Sequence, residues 1–308
     1  MSLLLAISSY RNDDEVEALC LAAASEAGRA LFSRVLVVDS QGSGRLPRFL
    51  VERRLEEYVD YHSFPENLGA AGNLWQRLRL GADSGCEYLF AINHDGELDL
   101  EAVKALRDRA TAQGLAAAYP LREIEPDLFD ITGSRPFPTR SIRRRGATLP
   151  PEEAVPAFWS SSNGSLYSLE PARLGVLPDR RLWHGWEDLQ YGLALAAAGY
   201  RQEIVLGARL ASSYDFQRRS LAGRHLVVSD KDAWLSYYFA RNLLLIATRS
   251  TPSGARFAGA VARILGEMTA TIALRDDRLS RLGMILRGTI DGLVGRGGRR
   301  VEPGDARR

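Results

Sequence analysis

Within its first hundred residues the chain repeats one alternation, a short apolar run followed by a longer amphipathic stretch. Residues 3–7, 35–38, 58–64 and 88–92 each have the length and composition of a strand. Between them a helix starts at Asp13 or Asp14 and runs towards Gly28, a second covers residues 46–57, and a third runs from Gly69 towards Gly81. Helices inserted between successive strands imply a mostly parallel sheet covered on both faces, because only a crossover returns the chain to the same edge. Ligands of such a sheet bind just beyond the carboxyl ends of its strands. The polar residues at those ends are therefore the first candidates: Ser8, Ser9, Tyr10 and Arg11 after the first strand, Asp39 after the second, and Asn93, His94 and Asp95 after the last.

From Arg135 to Pro156 the pattern gives way to five prolines with Arg140, Arg143, Arg144 and Arg145, read as a long mobile excursion. Residues 159–169 read as a strand, and a helix over residues 187–198 is closed by Gly199. Beyond Lys231 the chain reads as helical. Phe257, Val261, Ile264, Leu265, Met268 and Ile272 recur at helical spacing, with Arg256, Arg263 and Arg275 among them. The Gly- and Arg-rich residues 295–308 read as a disordered tail. The divisions expected are a main domain over residues 1–245, a helical extension over 246–294 and the tail.

Composition bounds the function. The 40 basic and 38 acidic residues leave a net charge of +2, and the two signs are interspersed, which argues against a nucleic-acid partner. Cys20 and Cys86 have no metal-ligand spacing and suit a reducing compartment. The apolar start lacks a basic leader, and no stretch reads as long enough to cross a bilayer, so a cytoplasmic location is expected, with peripheral contact at a membrane face open.

The candidate chemistry lies in short motifs, each with a plainer alternative. Asp95 at a strand end can offer a carboxylate to a hard cation bridging two phosphates, or can simply serve a turn with Gly96. Glu187 and Asp188 can cap a helix, or one can act as general base while the other orients it, with Trp186 beside them at an acceptor. Gly69, Ala70, Ala71, Gly72 and Asn73 let a ligand, or another backbone, approach a helix start. No dinucleotide fingerprint, phosphate loop or nucleophile elbow occurs.

Taken in order, these pieces resemble the family 2 glycosyltransferases, especially their rhamnosyltransferase-like branch. Ser8-Ser9-Tyr10-Arg11 resembles the strand end that holds the nucleoside, and Val37-Val38-Asp39-Ser40 the strand with the base-contacting Asp. Glu66-Asn67-Leu68-Gly69 with Gly72-Asn73 resembles the family's Asn-x-Gly helix start, and Asn93-His94-Asp95 its Asp-x-Asp metal motif. Glu187-Asp188-Leu189 followed by Ala198-Gly199-Tyr200 resembles its Glu-Asp motif, and Tyr237-Tyr238 with Arg241-Asn242 closes the series. The resemblance covers residues 3–245. It implies a GT-A fold, a Rossmann-like mostly parallel sheet flanked by helices, with a C-terminal helical extension. It also implies an inverting transfer from a nucleotide sugar to a glycan, lipid-linked or small-molecule acceptor, with Mg²⁺ or Mn²⁺. Donor contacts would fall to Ser9, Tyr10, Arg11, Asp39, Asn67, Gly69, Asn73, Asn93 and His94, the metal to Asp95, acceptor contact to Trp186, and catalysis to Asp188 with Glu187.

The chain departs from the family pattern at Asn93, which stands for the first acid of the metal motif. It departs again where Ser212-Ser213, rather than a His, precedes Tyr214-Asp215-Phe216, and at Leu193-Ala194, where an Arg is common. Two other readings stay open. One is a nucleotidyltransferase, which needs a Gly-rich basic loop that Ser9-Tyr10-Arg11-Asn12-Asp13 lacks. The other is a non-catalytic sugar-nucleotide binding or assembly subunit. The C-terminal helices could serve membrane contact or a homodimer.

Overall fold

The computed structural model describes residues 2–137, 143–211, 216–221, 224–229 and 231–302. In chain order the first elements are β1 (Leu3–Ser9), α1 (Asp13–Ala24), α2 (Glu26–Leu31), β2 (Arg34–Ser40), α3 (Arg45–Glu52), β3 (Val59–Phe64), α4 (Gly69–Asp83), β4 (Tyr88–Asn93) and α5 (Leu100–Gln113). Next come β5 (Ala117–Glu125), β6 (Leu128–Asp130), β7 (Arg143–Arg145), β8 (Ala154–Pro156), β9 (Ser165–Ser168), α6 (Glu170–Arg173) and α7 (Glu187–Ala197). The chain ends with β10 (Gln202–Ala211), β11 (Phe216–Leu221), β12 (Arg224–Ser229), α8 (Leu235–Leu245), α9 (Gly254–Leu274) and α10 (Arg278–Val294).

One sheet carries the order β3-β2-β1-β4-β9-β5-β10-β8, with β6 and β7 attached beside β5. Its first four strands are parallel neighbours, as the alternation requires. Both faces are covered. Leu3, Leu5 and Ile7 pack with Val16, Leu50 and Leu106 on one side, and Leu4 and Ala6 with Leu74, Leu78 and Tyr191 on the other. Burial on both faces is why β1 is apolar throughout rather than at alternate positions.

Several boundaries differ from expectation for local reasons. The first helix breaks at Ser25, which is extended and whose Oγ accepts from the Gly28 N–H, starting α2 afresh. The helix expected over residues 46–57 ends at Glu52, before Arg54 turns to φ +55. Only Ser165–Ser168 of the strand expected over residues 159–169 is extended, because Gly164 at φ +72 interrupts it. Where described, the proline-rich excursion is built into the sheet, β7 on β6 and β8 on β10. Ser212 to Asp215 lie outside the described residues.

The C-terminal helices form a layer on α7, with Leu189 and Leu193 against Ala240, Leu243, Leu244, Ile264 and Ile285. Gly288 and Gly292 let α10 lie close on α8, since a Cβ there would come 2.2 Å from the Tyr237 carbonyl oxygen and 2.8 Å from that of Arg241. The tail expected to be disordered is packed as far as it is described: Val301 is fully buried, and its carbonyl accepts from the Tyr238 hydroxyl at 2.8 Å. A further correction concerns α9. At 21 residues, with a window of mean hydropathy 1.4, it is long and apolar enough to cross a bilayer by length and composition. Ala260, Ile264 and Thr271 nevertheless bury one of its sides against the protein.

Candidate active site

Parallel register gathers the sequence candidates on one edge of the sheet. Ser9 lies opposite Asp39, and Ser8 opposite Asn93. The His94 N–H donates to the Ser8 carbonyl at 3.0 Å. Strand β9 runs antiparallel to β4, so its start comes to the same edge, where Asn163 accepts from the Asn93 N–H at 2.9 Å. Gly96 gives this contact room: a Cβ there would stand 2.7 Å from Asn163 Oδ1.

Three buried oxygens at the ends of β1 and β2 have no partner within the protein: Ser9 Oγ, Asp39 Oδ1 and Asn73 Oδ1. Their surroundings are otherwise fixed. Tyr61 donates its hydroxyl to Asp39 Oδ2 at 2.6 Å, and Asn73 Nδ2 donates to the Val38 carbonyl at 3.0 Å. Leaving a buried polar atom unpaired costs about 1–3 kcal/mol, so this cradle is suited to a ligand with donors of its own. Arg11, at φ +59, stacks on Tyr10 and donates to Gln41 at 3.1 Å. His94 Nδ1 is buried and likewise unpartnered.

Asn67 and Gly69 shape the start of α4. Asn67 Oδ1 accepts from the Gly69 N–H at 2.9 Å, and its carbonyl accepts from Trp183 Nε1 at 3.2 Å. Gly69 has φ +66, and a Cβ on it would stand 2.2 Å from the Trp183 carbonyl oxygen. The glycine is required twice, by conformation and by the loop crossing it.

That loop, residues 183–186, delivers Glu187 and Asp188 at the first turn of α7. Trp183 and Trp186 both have positive φ, 58° and 66°, an unfavourable conformation for a bulky residue and one that concentrates at functional sites. Trp186 takes the N-cap position and gives no side-chain cap. Its ring lies between Trp159, Phe239 and Arg263, part of the helical layer. Asp188 Oδ1 accepts from the Leu189 N–H at 2.7 Å, and Glu187 Oε2 is buried without a partner.

The electrostatics separate the two acids from ordinary carboxylates. Burial, then the neighbouring Glu187 charge, pushes the Asp188 carboxyl up to about 7, against the Leu189 N–H and the Lys231 charge. Burial also raises Glu187, countered by backbone amides at Glu187 and Gly185, by Lys231 and by Arg77. As whole residues both are only half-buried, while the Glu187 Oε2 atom itself is shut off from solvent.

Sequence reasoning missed the residues that hold this corner. Arg77 is 2% exposed and donates to the carbonyls of Ala6 and Ile92, tying β1 to β4 while placing a cation near Glu187. Burial lowers it only to about 10, so it stays charged at neutral pH. Its signal was present: an Arg in the apolar register of Leu74, Leu78 and Gly81. Asn242, fully buried, points Nδ2 at the carbonyls of Leu182, His184 and Gly185, and Arg241 donates to the Leu182 carbonyl at 2.6 Å. The motif Arg241-Asn242 was legible, but its target was not.

Among the described residues no three His, Cys, Asp or Glu side chains converge as a metal cage. Asp95 is exposed in the turn after β4, two residues beyond Asn93 at the strand end. This donor set fits the mode in which a hard cation keeps several waters and is held by one or two carboxylates together with substrate phosphates.

No family model and no curated protein matches the sequence. Solved structures do. TarS of S. aureus, determined in complex with UDP-GlcNAc, aligns with a TM-score of 0.58 at 11% identity, over 96% of this chain and 82% of that one. The mannosyltransferase PcManGT from Pyrobaculum calidifontis, determined with GDP-Man and Mn²⁺, aligns with a TM-score of 0.55 at 13% identity, over 94% and 86%. The chain thus has the GT-A-like glycosyltransferase fold, a mostly parallel sheet flanked by helices.

Proposed function

We propose that this protein is an inverting, family 2-like glycosyltransferase that moves a sugar from a nucleotide donor to an acceptor hydroxyl. The observation that carries the reading is the pairing of two features: the unpartnered oxygens of Ser9, Asp39 and Asn73 at the sheet edge, and the raised carboxyl of Asp188 in the first turn of α7, whose preceding loop crosses Gly69 at the start of α4. Base and ribose of the donor would meet the first set, with Asp39 Oδ1 accepting from a nucleobase N–H and the Ser9 hydroxyl and the Tyr10 and Arg11 loop closing over the ribose. Both neighbours named above were determined with nucleotide sugars, which supports this placement.

In the transfer, the acceptor oxygen forms a bond to the anomeric carbon as the bond from that carbon to the phosphate oxygen breaks, and the configuration inverts. Asp188 takes the acceptor proton. A carboxylate with an affinity near neutrality is matched to this task, being ionised when needed and basic enough to draw the proton. Glu187, held by backbone amides, orients the acceptor side. Asp95 and Asn93 would hold Mg²⁺ or Mn²⁺, which when bound supplies positive charge to the departing diphosphate.

Incubation with a panel of nucleotide sugars and simple acceptors tests the proposal by product formation. Donor binding with neither transfer nor donor hydrolysis would instead identify a binding subunit. Asp95→Ala should weaken Mn²⁺-dependent donor binding by at least the roughly tenfold that even indirect support of a metal ligand is worth. Unchanged donor affinity in Mn²⁺ would make Asp95 a turn residue.

A further inference from the structure

Helix α10 packs one side on the protein and carries an apolar stripe on the opposite side. Arg281, Ile285, Gly288, Asp291 and Gly292 face the protein, packed mainly on α8. At about 100° per residue, Leu279, Leu286, Ile290 and Leu293 fall together on the far side. They are 83%, 53%, 60% and 52% exposed. Water covers a stripe that would normally be buried.

The charge around this stripe has one sign. From Arg278 to Arg300 the exposed ionised side chains are Arg278, Arg287, Arg296, Arg299 and Arg300, and the single carboxylate, Asp291, is buried. Helical geometry puts Arg278 and Arg287 on the two flanks of the stripe. Asp291 lies on the covered side, held by Tyr237 at 2.7 Å and Arg296 at 3.1 Å. Among the described residues of this segment and its flanks, the exposed acids lie past the ends, at Asp276, Asp277 and Glu302, with Asp277 paired to Arg281 and Glu302 to Arg299.

We infer that α10 lies flat on an anionic lipid surface, its leucine and isoleucine stripe among the acyl chains and its arginines at the headgroup phosphates. An apolar face bordered by arginines is the composition that seats a helix in the plane of a membrane interface. In-plane contact, not a span, follows from the covered side: Gly288 and Gly292 sit against the α8 backbone, and withdrawing the helix would uncover Ile285 and break the Tyr237 bond to Asp291. A protein partner with an acidic rim, or a second copy joined stripe to stripe, would use the same apolar residues, but only lipid binding combines them with dependence on headgroup charge.

Flotation of the full chain with vesicles tests this. The protein should float with equal parts of phosphatidylglycerol and phosphatidylcholine, remain at the bottom with phosphatidylcholine alone, and lose vesicle binding as salt rises. The triple variant Leu279→Gln, Leu286→Gln, Ile290→Gln changes exposed side chains only and should keep its melting temperature, yet bind anionic vesicles at least roughly tenfold more weakly. Wild-type protein that does not float with anionic vesicles, or a triple variant that floats equally well, overturns the inference. So does wild type that sediments as a dimer without lipid while the variant is a monomer, which would assign the stripe to a second copy.

Discussion

Asp188→Asn is expected to fold, to bind donor normally, and to transfer sugar on the order of 10²-fold or more slowly. Its stability should move in the opposite direction. Burial and Glu187 raise the native Asp188 carboxyl from 3.8 to about 7, so the native state holds this proton more tightly than the unfolded chain. The stabilisation from that proton is complete below about pH 4 and is lost as pH rises through about 7. Asparagine stays neutral and can still accept the Leu189 N–H, so the variant should melt later than wild type at pH 8, with the difference gone near pH 4. A residue that merely capped the helix would give earlier melting and normal turnover. Transfer by wild type should climb through the region near pH 7, with apparent values that belong to the Glu187 and Asp188 pair. Near-wild-type transfer by folded Asp188→Asn would refute the base assignment and shift it to Glu187 or to a binding role.

Asn242→Ala should cost both stability and rate although the residue is on α8, outside the carboxylate pair. Its amide, on a fully buried residue, lies 3.0, 2.9 and 2.7 Å from the carbonyls of Leu182, His184 and Gly185. Truncation leaves the His184 and Gly185 carbonyls without this donor while Leu182 keeps Arg241, a loss of about 2 kcal/mol, which should lower Tm by roughly 3 °C in a chain of 308 residues. The loop they belong to aims Glu187 and Asp188, and a shift of about 1 Å at such a position can cost roughly 10²-fold in rate. Donor affinity, set at the Ser9 and Asp39 end, should change little, so the signature is a fall in kcat with donor binding preserved. Asn242→Asp keeps the shape but puts an acceptor oxygen where the donor was, facing the three carbonyls, and should be at least as harmful. A folded Asn242→Ala protein with wild-type kcat would remove the positioning role.

The first four strands, the helices between them and the polar residues at their ends were legible in the sequence because each is a local pattern. A strand buried on both faces must be apolar over its length, so a polar residue at its end breaks the pattern, and Ser9, Asp39 and Asn93 marked themselves. Parallel register then placed them side by side with little freedom. Tertiary structure decided what no local pattern encodes. It brought Asn163 from an antiparallel strand to the Asn93 amide, set Arg77 beneath the site, and aimed Asn242 at a loop 57 to 60 positions away in the chain. It also packed a Gly- and Arg-rich segment against Tyr238, where composition suggested disorder. The raised Asp188 carboxyl belongs to the same class: its first cause is burial, which depends on how α7 and the loop before it are packed, and the Lys231 charge only partly offsets it. A sequence names an acid; only the packing around that acid sets how tightly it holds a proton.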